Sequence, residues 1–495
     1  MRVSIVSATK AALHDSRRVI VTHSLSLFRF HHVVACMMEL HDQKEQLGDY
    51  MILERSDSLL HKWRSCRWDF FQLNTPVKFS QLHGQTIPQE HNEWLLDRPL
   101  SQDLAGWDQH ICDLGILKKV QFQANVQSVQ PLEDGTFLAT VKTPTESSPT
   151  YYRSQNVVAC TGMNDHNIVP KELSEKLPSF MKQHVTGGFQ FQHLQPGNVL
   201  VVGSSQSGVQ LSQLLVDHEP QRQIYLACST VGGCPRSFRG KDIFEWFHYM
   251  KFLYIPQAAL PTMPPEKAEA LRYGGMGAPV TGPNRPMSPF SLAKQGVKLV
   301  GKLQDVVVTT AADHDDNSHP KTTKLCFGTN LPESLQASKA GHDKVLNMLR
   351  NFCDKEWDDR EQLPPEEPEA EWQVAADDPL FTDTGPLQLD CEESGIANVI
   401  WASGWAPDMA WLQPLMATDD ETSSTNTDFD ARTHLPGRIV SENHPGLYFA
   451  GFPWIGTIQS MNLVNMDADA QVIVQDMLER QERQAQKSTI QQQQA

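Results

Sequence analysis

The first 47 residues contain no glycine, and the nine cysteines spread over 495 residues include no C-x-x-C pair. The first absence excludes an ordinary glycine-rich phosphate loop near the N-terminus. The second removes support for a disulfide scaffold, a zinc ribbon or a dithiol redox centre, and it fits a reducing, cytoplasmic setting. Cations are in deficit, 42 Lys plus Arg against 59 Asp plus Glu for a formal charge of −17, so no nucleic-acid or anionic-membrane partner is expected. No run of apolar residues is long enough for a membrane span; Val19 to Met38 comes nearest and is broken by His23, Arg29, His31 and His32. The adjacent His31 and His32 have no Cys or carboxylate at ligand spacing, so no metal is expected. No internal repeat and no G-x-S-x-G turn occur, which disfavours a solenoid and a nucleophile elbow.

What remains is a globular α/β pattern, long enough for two to four domains of ~100 to 200 residues each. Apolar strand candidates are spread along the chain at Tyr50–Leu53, Asn156–Ala159, Val199–Val202, Gln223–Cys228, Asn398–Ala402 and Leu447–Ala450. Their spread predicts one sheet assembled from distant segments. Residues 313–321, 363–371 and 418–434 read as polar loops, and residues 476–495 as a charged, Gln-rich helix that frays into a disordered tail.

The clearest chemistry lies after Val199–Val202. Gly203-Ser204-Ser205-Gln206-Ser207-Gly208 is a G-x-G-x-x-G loop with serine at its centre, and Leu211, Leu214 and Leu215 follow at helical spacing. Gly203 allows the tight turn, a small residue at 205 lets backbone approach a pyrophosphate, and Gly208 lets the helix pack closely. A second strand ends at Cys228 and Ser229 with no carboxylate for a ribose hydroxyl, while Arg236, Arg239 and Lys241 follow. That order favours NADP over NAD, although each cation alone reads equally well as an ordinary surface charge. Near the other end of the chain, Glu54 and Arg55 close an apolar strand, and Trp63, Arg67, Trp68, Asp69, Asn74, Thr75 and Pro76 crowd together. Such a set suits a stacked planar ligand with phosphates, or an aromatic cluster bridging two domains.

Leu53-Glu54-Arg55, the Trp63-to-Pro76 run, Val158–Gly162, Val202–Gly208, Ile400–Trp405 and Gly446–Gly451 occur in an order that resembles the flavin-containing monooxygenases. The resemblance covers about residues 34 to 475. It implies two Rossmann-like dinucleotide-binding domains, with an NADP domain inserted into a discontinuous FAD domain. The corresponding division is residues 1–185 and 386–475 for FAD, with 1–33 atypical, and 186–385 for NADP. Cys160-Thr161-Gly162 and Ser403-Gly404-Trp405 would be the linkers, and Gly451 to Met461 would close over the isoalloxazine. His184 stands in for the family's fingerprint histidine, without the usual Phe-x-Gly-x-x-x-His spacing.

The implied activity is an NADPH-dependent FAD oxidoreductase, with molecular oxygen transferred through a peroxyflavin to a small nitrogen or sulfur nucleophile. A reductase or hydroxylase without a stable peroxyflavin is the enzymatic alternative. Asn74 would be the polar group beside the flavin. Transferring the 25-residue offset of the second unit to the first puts the FAD-loop glycines at Arg29, His31 and Val34. The sequence therefore predicts that the first strand and loop are replaced, that the fold resumes near Val34 with a helix and turn over Ala35–Gly48, and that FAD is held poorly. A silent NADP-binding or interaction protein that has lost FAD is the alternative from another class. Gly208→Asp is expected to remove NADPH binding while leaving the fold.

Overall fold

The computed structural model describes residues 14–23, 50–82, 84–85, 92–94, 98–162, 165–184, 189–268, 282–309, 322–357, 363–416, 428–430, 434–458, 460 and 466–494. Six strands open the chain: β1 His14–His23, β2 Tyr50–Glu54, β3 Val120–Gln121, β4 Asn125–Pro131, β5 Phe137–Lys142 and β6 Thr150–Ala159. They form a sheet in the order β3-β2-β1-β6-β5-β4. β3, β2, β1 and β6 run parallel, and β5 and β4 return antiparallel. Every residue of β2 is buried, as a strand covered on both faces requires.

After the short strand β7 (His166–Asn167) the chain builds a second sheet from β8 (Lys182–His184), β9 (Asn198–Val202) and β10 (Ile224–Ala227). β11 (Ser237–Phe238) and β12 (Lys241–Asp242) make a small hairpin, and β13 (Lys298–Val300) rejoins the second sheet. β14 (Leu303–Thr309), β15 (Thr322–Phe327) and β16 (Gln388–Asp390) form an antiparallel layer of their own. β17 (Ile396–Trp401) then completes a five-stranded parallel sheet of order β13-β10-β9-β17-β8. β18 (Trp405–Ala406) pairs back with β7, and β19 (Leu447–Phe449) returns to β6 in the first sheet.

The predicted strands are present, divided between two sheets instead of one. The second sheet runs from Lys182 to Trp401. The architecture is two Rossmann-like units, the second inserted into the first.

Each unit has its own core. Val157–Ala159, Leu447–Ala450 and Ile473–Val474 pack around β2 in the first. Val199, Val201, Leu211, Phe290 and Trp372 pack together in the second. The other face of the second sheet, through Leu200 and Trp401, is covered by Val306 and Leu325 of the antiparallel layer.

One expectation changes here: β1 is formed, and its parallel register sets its last residue, His23, against Glu54, six residues before Arg29, so a strand stands where the sequence reads the first strand as replaced. The expected helix over Ala35–Gly48, together with Arg29, His31 and Val34, lies outside the described residues. The expected Gln-rich helix is present and continues further than expected, running from Met466 to Gln494. Gln, Glu, Lys, Arg and Ala are good helix formers, so the segment stays helical with residues 482–491 wholly exposed. Among the described residues, no helix is long and apolar enough to cross a membrane, and no group of three or more His, Cys, Asp or Glu could hold a metal.

Candidate active site

The loop between β9 and helix α1 (Gln206–His218) is shaped by what it excludes. A Cβ on Gly203, whose φ is +110°, would sit 2.6 Å from the Ala402 carbonyl oxygen, and one on Gly208 only 1.7 Å from the Gly203 oxygen. Both positions therefore demand glycine. Ser205 is the N-cap of α1 and makes no side-chain capping bond. The first amides of a helix lack intrahelical partners, so the backbone at Gln206 and Ser207 presents donors at the positive end of the helix dipole. Ser204 Oγ accepts from Ser229 N at 2.9 Å and donates to Ser229 O at 3.1 Å. These two serines staple the loop to the end of β10.

Glu54 is fully buried at the end of β2, and its Oε1 accepts from Ser56 N and Oγ, both at 2.6 Å. Arg55 reaches Asp165 at 3.1 Å and Asp408 at 3.9 Å, one acid just beyond each expected linker. The linkers lie side by side: Ile168 N donates to Gly404 O and Asp165 N to Ala406 O. Gly162 follows β6 and Gly451 follows β19, so both sit at the ends of first-sheet strands.

The Trp63-to-Pro76 run joins the two units, and it also contains a ligand-like feature. Trp68 packs in the core of the second unit, and Asp69 accepts from Phe191 N at 2.8 Å. Arg67 is 7% exposed and ringed by Trp63, Phe71 and Trp405 at 5.1, 4.7 and 5.3 Å from its Cζ. Its Nε and Nη2 have no hydrogen-bond partner among the described residues. Burial pushes its pKa well down. Cation–π contacts compensate only partly for a desolvated charge, so the cage as formed by the described residues lacks an anion or acceptor.

Asn74 sits at the boundary itself. Its Oδ1 accepts from Gln210 Nε2 on α1 at 2.8 Å and its carbonyl from Arg236 Nη1 at 3.2 Å. Thr75 and Pro76 form the turn behind it, with Thr75 Oγ1 2.7 Å from Ser80 Oγ. A cavity of 260 Å³ lies alongside, between Trp68, Phe70 and Gln72 of one unit and Gln210, Leu214 and Met287 of the other. Pro283, Asn284 and Arg285 complete its lining, while most of the polar loop 418–434 lies outside the described residues.

Arg236 departs from its expected role. Its side chain is 3% exposed and forms an ion pair with Asp242, and Nη1 also donates to Gly282 O at 3.0 Å. A guanidinium so enclosed is a strut between units, not a free cation for a 2′-phosphate. Arg239 lies over the Phe238 ring at 5.6 Å and remains partly exposed. His184 ends β8 opposite Trp401; burial, then Lys62, push its pKa down to about 4, so it is a neutral strand-end residue near pH 7.

The segment after Gly451 carries a group that the sequence did not single out. Ser460 Oγ accepts from Gly456 N and Thr457 N at 3.0 and 2.8 Å, and lies 3.3 Å from Asp469 Oδ1. Asp469 is buried, with no partner for Oδ2 among the described residues. Burial raises its pKa to about 7. Its carboxylate is therefore disfavoured in the folded chain, a cost absent at acid pH that grows as pH rises from the unfolded value and is complete above about 7. Asp469→Asn is expected to raise Tm at pH ~8, by up to a few kcal/mol of stability, and to change little at pH ~4. Equal shifts at both pH values in thermal melts would contradict this.

Comparisons with known proteins agree with this architecture. The family described as L-lysine 6-monooxygenase/L-ornithine 5-monooxygenase matches residues 113–237. The uncharacterized oxidoreductase CzcO of Bacillus subtilis is 26% identical over 443 residues, covering 88% of this chain and 93% of that one. A probable indole-3-pyruvate monooxygenase, YUCCA9 of Arabidopsis thaliana, is 27% identical over 207 residues, 41% of this chain. That match spans about half, 47%, of the plant protein's length. Among solved structures, a doubly substituted flavin monooxygenase from Stenotrophomonas maltophilia superposes with TM-score 0.54 at 12% identity, covering 94% of this chain and 99% of that one. An ornithine N-hydroxylase of Kutzneria sp. 744, solved with reduced FAD, NADP+ and L-ornithine, gives 0.54 at 13% identity, covering 94% and 100%. The structural likenesses establish the two-unit fold.

Proposed function

We propose that this member of the flavin-containing monooxygenase-like oxidoreductases uses NADPH and FAD to transfer one oxygen atom of O2 to a small nitrogen or sulfur nucleophile. The observation that carries the reading is the convergence at the boundary: Asn74 bonds to Gln210 two residues beyond the glycine cradle, in the same run as the incomplete Arg67 cage. The described residues suit NADP at the β9–α1 loop and an acceptor of the flavin nucleotide at the Arg67 cage. The β9–α1 loop packs so closely on the Ala402 and Gly203 backbone that neither 203 nor 208 has room for a Cβ, which lets the helix-start amides approach a pyrophosphate, and Arg67 Nε and Nη2 have no acceptor among the described residues.

Bound FAD would supply the redox chemistry, taking up hydride and then reacting with oxygen. The chain's part is binding, orientation and exclusion of water. Gly203, Ser205 and Gly208 would seat the NADPH pyrophosphate on the amides of Gln206 and Ser207. Arg67 would hold an anionic or acceptor edge of the flavin nucleotide, with Glu54 at the strand end on the ribose side. Trp68 and Phe70 would wall the boundary cavity, and Asn74 would hold a polar edge of nicotinamide or flavin. Reconstitution with FAD, followed by NADPH oxidation across amines, thioethers and ketones with peroxide measured, tests the reading. Substrate-independent peroxide release from every compound would contradict oxygen transfer.

A second reading, an NADP-binding protein without FAD, is favoured by one observation: the chain has no glycine between the end of β1 at His23 and Gly48. A segment without glycine does not favour the tight turn and close backbone approach that a pyrophosphate needs, so FAD retention is expected to be weak. A protein that stays colourless after incubation with excess FAD would support this second reading.

The enclosure of Arg236 changes the expected cofactor discrimination. Arg236→Ala should weaken NADPH and NADH to a similar degree, because it breaks a strut, whereas Arg239→Ala should weaken NADPH more. Charge-assisted contacts to a phosphate are worth roughly 1.5 to 3 kcal/mol. Titration of both cofactors against both variants decides it; a selective NADPH loss in Arg236→Ala would restore the phosphate role.

A further inference from the structure

Behind the Arg236 strut lies a buried carboxylate that belongs to neither nucleotide loop. Glu369 arrives on the extended segment before the turn Ala370–Trp372. Its Oε1 accepts from Arg236 N at 2.8 Å, Ser237 N at 2.7 Å and Ser237 Oγ at 3.2 Å. The backbone fixed in this way is the one from which the Arg236 side chain crosses to Asn74 O, with Asp242 holding the guanidinium from the hairpin. Asn74 in turn holds Gln210 on α1. An unbroken series of polar contacts therefore runs from Glu369 to the helix that starts at the glycine cradle.

We propose that Glu369 is a positioning residue for the NADPH-dependent step: its carboxylate anchors the β11 backbone so that Arg236 sets the second unit against Asn74. The inference rests on the reading of the β9–α1 loop as the NADPH site.

The surroundings give this anchor a distinctive dependence on pH. Helix α2 (Leu331–Lys355) packs alongside and presents His342, whose Nε2 is 4.0 Å from Glu369 Oε2. Neither of those two atoms has a hydrogen-bond partner among the described residues. Burial lowers the His342 pKa, so the imidazole is neutral near pH 7 and provides no countercharge. Lys339 and Asp343 on α2 pair with each other, and Arg350 pairs with Glu366. On the hairpin side Arg236 and Asp242 pair with each other, Cys234 lies near them and Glu369, with its thiol pushed up to about 12 by burial, and Glu371 adds a like charge from Glu369's own segment. Burial is the largest influence on Glu369 and raises its pKa to about 7, against the hydrogen bonds from Ser237 and Arg236. The carboxylate is the stronger acceptor. The anchor therefore tightens as pH rises through about 7 and loosens below it.

The test uses the full chain reconstituted with FAD, as wild type, Glu369→Gln and Glu369→Ala. NADPH affinity and the rate of anaerobic flavin reduction are measured from about pH 6 to about pH 8.5. Wild type is expected to bind NADPH several-fold more tightly at the alkaline end. Glu369→Gln keeps an acceptor without the titration and should give a flat profile. Glu369→Ala should weaken NADPH roughly tenfold throughout, with KM affected more than kcat. Hydrogen exchange at the amides of residues 236 and 237, compared at equal pH, should be faster in Glu369→Ala. A Glu369→Gln profile that matches wild type, or unchanged exchange in Glu369→Ala, overturns the role of Glu369. Wild-type protein that binds no NADPH overturns the nucleotide reading and, with it, the role given to Glu369.

Discussion

Gly208→Ala is expected to lose NADPH binding by roughly 100-fold or more, because two or more charge-assisted backbone contacts disappear together. The added methyl cannot be accommodated 1.7 Å from the Gly203 oxygen, so α1 must move away from β9 and take the amides of Gln206 and Ser207 with it. The same displacement disturbs Val209, Leu211 and Leu215, all buried on α1. Some stability is therefore lost as well, about 1 to 3 kcal/mol for overpacking. This corrects the expectation that Gly208→Asp would spare the fold, since any Cβ at 208 meets backbone. Gly232→Ala is the control: its Cβ would come no closer than 3.7 Å to Gly341 Cα, and near-normal NADPH affinity is expected. Wild-type affinity in Gly208→Ala, measured by titration, would mean that the pyrophosphate is seated elsewhere.

Arg67→Met is expected to act in opposite directions on the two forms of the protein. The guanidinium sits among Trp63, Trp68, Phe71 and Trp405 with no acceptor for Nε or Nη2 among the described residues. An apolar replacement of similar length should stabilise the apo chain by about 1 to 4 kcal/mol, the range seen when buried charges give way to packed side chains. With FAD, the missing donor should reduce flavin retention by roughly tenfold or more. Thermal melts with and without added FAD separate the two effects. A variant destabilised in both forms would show that Arg67 is only a packing element of the cage.

Much of this arrangement was legible before any coordinates, where the local chemistry is self-contained. The β9 loop is an example, since strand, small-residue turn and helical leucines lie in one stretch from Val199 to Leu215. The aromatic run was legible as a ligand-like or domain-bridging cluster, and it is a bridge, with Trp68 in the second core and Asp69 bonded to Phe191. What failed depends on partners distant in space or on the length of a crossover. In the second unit the paired strand ends, Val202 and Ala227, are 25 residues apart, but in the first His23 and Glu54 are 31 apart, and no side chain in the loop encodes that difference. Arg236 read as a phosphate ligand because Asp242 becomes its partner only when the β11–β12 hairpin folds. Glu369 and Asp469 gave no signal at all: one lies in a proline- and glutamate-rich loop, the other among ordinary first-turn helix acids, and only burial distinguishes them.

The most direct test of the central claim is anaerobic addition of NADPH to the chain incubated with FAD and freed of excess cofactor. The account predicts a yellow protein, at less than full occupancy, whose visible flavin band bleaches on NADPH addition and returns with oxygen. A colourless chain, or a yellow one that NADPH fails to bleach, would contradict it.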